Sequence, residues 1–193
     1  DNDVSAGALY SIVMYQKSGD GPWTKGANLP ASAPGNLILE PSGQLSLFVF
    51  EAFNMAGNGA IGSLKRYTFA TPGDITNYTS ETIIGSNGTS ETVNIRVGAA
   101  VGSDGTLYAG WGINLGGTDV QSEVLIEHHP GDTAWTYSKA ANNLGHDFYY
   151  PYVVPTEPGV AMLAVQDDYI PPEKGGGNIY QITNVFERPL SVW

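Results

Sequence analysis

Apolar and polar residues alternate in short bursts along the whole chain, and no segment sustains a helical period. The bursts come as pairs around a Gly-containing turn: 36–48 (NLILEPSGQLSLF), 97–108 (VGAAVGSDGTLY) and 152–163 (YVVPTEPGVAML). Each pair reads as a hairpin of two buried strands. A polar, Gly-rich stretch follows each hairpin, at 51–62, 112–122 and 166–177, and then a third strand begins, at 64–69, 124–128 and 179–182. After the third strand comes a Gly-Asp turn and a fourth strand carrying an aromatic.

The Gly-Asp turns set the period. They stand at Ser18-Gly19-Asp20-Gly21-Pro22-Trp23, Pro72-Gly73-Asp74-Ile75-Thr76-Asn77-Tyr78 and Pro130-Gly131-Asp132-Thr133-Ala134-Trp135, spaced in the fifties. A unit of that length, with four antiparallel strands in a meander, suits a β-propeller blade. The expected fold is therefore all-β, with blades at 31–85, 91–142 and 147–193 in a single region. The segment 1–30 holds only a third strand (9–15), its turn and Trp23, which is an outer half-blade without its inner hairpin. The last unit departs from the pattern, with Glu187-Arg188-Pro189 where a Gly-Asp turn should stand, before Leu190-Ser191-Val192-Trp193. Three blades and a half fall short of the usual four for closure, so the ring needs more blades, a partner, or an unusual closure.

Composition narrows the function classes. Only 14% of residues are charged, while Gly (25) and Pro (12) are abundant, in keeping with many strands and turns. The net charge of −11 repels a phosphate backbone, which disfavours nucleic acid as a partner. Without Cys there is no disulfide, thiolate catalysis or Cys-ligated zinc. No apolar stretch is long enough for a membrane-spanning helix. A start at Asp1 and two sequons, at Asn77 and Asn87, fit a secreted, extracellular protein.

The turn around Asp20 resembles the Asp-box of the BNR, sialidase-like β-propellers, Ser-x-Asp-x-Gly-x-Thr-Trp between the third and fourth strands of a blade. The copies at Asp74 and Asp132 keep the Asp and the aromatic but lose the second Gly. The resemblance implies structural roles for Asp20, Asp74 and Asp132, with Trp23 and Trp135 packed between blades. Sialidases also carry Phe/Tyr-Arg-Ile-Pro at an inner strand; here Phe148-Tyr149-Tyr150-Pro151 has Tyr in place of Arg. The three Arg of the chain, Arg66, Arg96 and Arg188, cannot supply an arginine triad at one site.

Alternating strand direction puts the tight turns and the Gly-Asp turns on one face, and the long loops and crossings on the other. The long-loop face collects Arg96, Asn114, Asp147, Tyr149, Gln166, Asp167, Asp168 and Tyr169. Aromatic faces stack on sugars and amides or carboxylates bond hydroxyls, so a glycan or polysaccharide is the expected ligand. His146 and Tyr150 are candidate base and acid for β-elimination, and a Tyr with a Glu could serve a glycoside hydrolase. Equally, that His could cap a strand and those Tyr line a channel. Asp167, Asp168 and Glu173 offer oxygen ligands for Ca²⁺, although no EF-hand spacing is present. His128 and His129 are not expected to share a metal, since neighbours in a strand face opposite ways. A carbohydrate-binding or carbohydrate-processing propeller leads these expectations. A structural or self-assembling module using open strand edges comes second, and a polysaccharide lyase or glycoside hydrolase third.

Overall fold

The computed structural model describes residues 12–30, 33–54, 61–71, 73–85, 97–113, 122–139, 147–169 and 180–189. Among these the chain is all-β. The strands are β1 (Ile12–Gln16), β2 (Thr24–Leu29), β3 (Ala33–Leu39), β4 (Leu45–Asn54), β5 (Ile61–Thr71), β6 (Asp74–Ile84), β7 (Val97–Val101), β8 (Leu107–Ile113), β9 (Ser122–His128), β10 (Thr136–Lys139), β11 (Asp147–Glu157), β12 (Val160–Tyr169) and β13 (Tyr180–Pro189). They form an N-terminal hairpin, β1–β2, and three antiparallel meanders: a first sheet β3-β4-β5-β6, a second β7-β8-β9-β10 and a third β11-β12-β13.

Local chemistry explains the meanders. The turn after β3 closes with Gly43 N–H donating to the Glu40 carbonyl at 2.8 Å, and that after β7 repeats it with Gly105 and Gly102 at 2.9 Å. Gly43 and Gly105 stand at φ 83° and 87°, which only Gly adopts without a Cβ penalty. The two hairpins are thus the same loop built twice.

Period-two alternation then gives the first and second sheets two buried faces each. Leu47 and Val49 of β4 pack with Met14 and Leu29 of the hairpin, together with Tyr67, Phe69 and Ile75. Their neighbours Phe48 and Phe50 turn the other way, onto Val97, Ala99, Ala109 and Trp111 of the second sheet. Tyr108, on the opposite face of β8, meets Val153, Ala161, Leu163 and Val165 of the third. Hairpin and sheets therefore stack face to face in chain order, with β3, β7 and β11 successive along one side. Between the last two sheets the approach is close: a Cβ on Gly98 would collide with the Pro151 carbonyl oxygen.

Three expectations need correction. β13 runs through Glu187 and Arg188 to Pro189, paired residue for residue with β12, so no turn stands there; continuous pairing satisfies the backbone that a turn would have exposed. Gln166–Tyr169 belong to β12, where a loop was expected; Gln166, Asp167 and Asp168 pair on both sides and Tyr169 with β13. Trp23, in the turn before β2, is 68% exposed, and the hairpin covers the first sheet with Met14 and Leu29 instead. A fourth strand at 190–193 lies outside the described residues.

Candidate functional site

The third sheet carries most of the residues that sequence reasoning assigned to the long-loop face. Its register sets Asp147 opposite Asp168, and Asp168 opposite Gln181. On the next rungs Phe148, Asp167 and Ile182 align, and then Tyr149, Gln166 and Thr183. Tyr169 pairs with Tyr180 at the strand end. Asp147 and Gln166, distant in sequence, thus stand two rungs apart at the end of the sheet where β11 begins and β12 ends.

Between Tyr149 and Tyr152 the register slips, because β11 spends three steps there against two on β12. That is a β-bulge at Tyr150 and Pro151, and Pro has no N–H to offer the ladder. Bulges bend a strand and re-aim its side chains. Tyr150 therefore stands on irregular backbone beside the row of acidic and amide residues. Arg96, Asn114, His146, Glu173 and the sequon at Asn87 lie outside the described residues.

At the opposite, tight-turn end, the first and second sheets part to leave a cleft of about 390 Å³, lined by Glu40, Arg66, Asp104 and His128 among others. Arg66 is committed to its neighbours: Nε donates to the Ser46 hydroxyl at 3.0 Å, Nη1 to Glu81 at 2.8 Å and Nη2 to Glu40. Ser46 in turn donates to the same Glu40 oxygen. Spent on two carboxylates, this guanidinium is poorly placed to recruit an anion. On the other face of the sheet, Lys65 Nζ pairs with Glu51 at 2.7 Å, and Tyr67 donates to the same carboxylate at 3.0 Å. Burial and that carboxylate push the Tyr67 phenol well above its ordinary range.

Sequence reasoning missed this network, yet a signal was present. Lys65 and Arg66 are consecutive in a strand covered on both faces, so one cation must enter each side and find a carboxylate.

The Gly-Asp turns act on their own backbone. Asp74 accepts from the Thr76 N–H at 2.9 Å and from the Asn77 amide side chain at 2.8 Å, and hydrogen bonds from Thr76 and Asn77 hold its carboxyl well below the usual range. Asp132 accepts from the His129 N–H at 2.9 Å. Around Asp20 the turn closes through backbone alone, with Gly21 N–H donating to the Ser18 carbonyl at 3.0 Å. Trp135 packs edge-on against Phe48 at 5.8 Å and against His128 at 4.9 Å. His129 instead meets the Thr106 hydroxyl at 3.1 Å, so the two imidazoles serve different neighbours. Asn77 of the first sequon is exposed on β6, with its amide engaged by Asp74.

Comparison with known proteins finds no family model, no curated protein and no solved structure that matches the chain.

Proposed function

We propose that this chain is a carbohydrate-binding part of a β-propeller, with its ligand at the long-loop end of the third sheet. The observation that carries the reading is the strand register, which gathers Asp147, Asp168 and Gln181 on one rung and Tyr149, Gln166 and Thr183 two rungs on. Carboxylates and amides are bidentate partners for vicinal hydroxyls, and Tyr supplies an apolar face for a sugar ring. With three Asp in two adjacent rungs and a net charge of −11, the site favours neutral glycans over sulfated or uronate-rich ones. Glycan ligands and the sequons fit an extracellular setting. The face-to-face stacking of antiparallel meanders, two of them four-stranded, supports the propeller part of the reading.

The test is a glycan array on the 193-residue chain, followed by titration of the best neutral ligand. Asp168→Asn and Tyr149→Ala should each weaken binding by at least about tenfold, the size expected for losing a charged hydrogen bond or a stacking face. Repeating the titration in EDTA asks whether Ca²⁺ on Asp167, Asp168 and Glu173 takes part. A chain that retains no glycan, or one whose binding ignores both substitutions, removes the proposal. A processing activity would draw on His146 and Tyr150, and its measurement is product release from the same ligand.

A further inference from the structure

The interface between the N-terminal hairpin and the first sheet is half built. Met14 and Leu29 cover Leu47, Val49, Tyr67 and Phe69, but the cover stops at β4. On β3 the same face carries Leu37 and Leu39, exposed to 49% and 58%, although their cross-strand partners are Leu47 and Leu45. Ile38, which faces the second sheet, is packed against that interface. So β3 is apolar on both faces and covered on one.

The next two interfaces of the stack do not stop there: β3 lies against β7, and β11 against both β7 and β8. The hairpin also has no inner strands among the described residues. Among the described residues β1 pairs only with β2, whereas its counterparts β5 and β9 pair inward with β4 and β8. A strand edge with no partner among the described residues, beside an uncharged apolar shelf, defines what would fit there, because one hairpin would satisfy both. It would pair with β1 and lay an alternating apolar face on Leu37 and Leu39.

We infer that the β1 edge and the Leu37–Leu39 shelf form a docking site for a partner β-hairpin of the kind that β3 and β4 make. That occupant is chosen because continuing the established hairpin–sheet interface requires two antiparallel strands with period-two apolar residues, as β3–β4 supplies to the second sheet through Ile38, Phe48 and Phe50. The inference stands on different residues from the glycan reading and does not depend on it.

A soluble fusion carrying residues 33–54 is the probe, titrated by fluorescence anisotropy into the 193-residue chain. Binding should saturate at one hairpin per chain and fail for a fusion of the same composition with the alternation scrambled. The double variant Leu37→Lys/Leu39→Lys should weaken it by at least about tenfold, since two desolvated Leu side chains are lost from the contact. Both positions are exposed, so circular dichroism should show the fold retained. Tyr137→Lys, at an exposed position on β10, should bind as the parent does. Absence of binding overturns the inference, as does binding that ignores the double variant. Light scattering that shows a dimer of the chain alone, dispersed by Leu37→Lys/Leu39→Lys, would also overturn it, because the occupant would then be a second copy.

Discussion

Replacing Arg66 with Met would test whether the charged network at the tight-turn end holds the first sheet together. Glu40 is nine-tenths buried, and its oxygen takes hydrogen bonds from Arg66 and Ser46. With the guanidinium gone, a carboxylate would remain in a poorly solvated place with one hydroxyl for company. Removing one partner of a buried pair costs about 3–5 kcal/mol. The second bond of Arg66 goes to Glu81, whose side chain is 45% exposed, so that arm is worth at most about 1 kcal/mol. Met fills part of the space left by the aliphatic stem and returns some packing. The net expectation is a loss of about 3–4 kcal/mol, which for a chain of this length lowers Tm by roughly 6–16 °C. Urea unfolding followed by Trp fluorescence measures it. A double-mutant cycle with Glu40→Gln sharpens the result: the Arg66→Met/Glu40→Gln chain should recover about 2 kcal/mol relative to additivity, because no uncompensated charge stays buried. The same cycle with Glu81→Gln should couple by under about 1 kcal/mol. An Arg66→Met cost below about 1 kcal/mol, or no coupling to Glu40, would refute the reasoning.

Two more expectations follow from contacts between the sheets. Gly98→Ala should destabilise by about 2–3 kcal/mol, because its Cβ meets a backbone carbonyl that cannot swing aside, while Gly73→Ala, with open space around it, should stay within about 0.5 kcal/mol; equal urea midpoints for the two would contradict the close approach. Burial raises the Asp104 carboxyl, but hydrogen bonds from the Thr106 N–H and hydroxyl and from the Gly159 N–H outweigh it, so its pKa is lowered in the fold. Such a group contributes stability in full above the unfolded value of about 4 and loses it as pH falls through the depressed folded value. The urea midpoint should therefore drop on acidification below about pH 4, and drop less steeply in Asp104→Asn; identical slopes would count against this role.

The residues that rewarded sequence reasoning are those whose chemistry is local. Gly43 and Gly105 mark identical turns because a positive φ is a property of one residue, and Leu47, Phe48, Val49 and Phe50 alternate because a strand does. Asp74 and Asp132 bond residues two or three positions away, so their contacts are local too. Trp23 and Trp135 look alike in the sequence and part company in the fold. Trp135 rests on Phe48 of the neighbouring sheet, and Trp23 has no such sheet against it among the described residues.

What the chain dictates alone is thus a succession of strands, their turns, their antiparallel meanders, and an acidic, Cys-free surface chemistry. Only the tertiary structure pairs Arg66 with Glu40, sets Asp147 opposite Asp168, and leaves Leu37 and Leu39 bare beside a buried Leu47. The division has a physical origin. Backbone preference and side-chain alternation act over a few residues, whereas burial, register and charge pairing depend on which sheet arrives on which face, and that is decided across the whole stack.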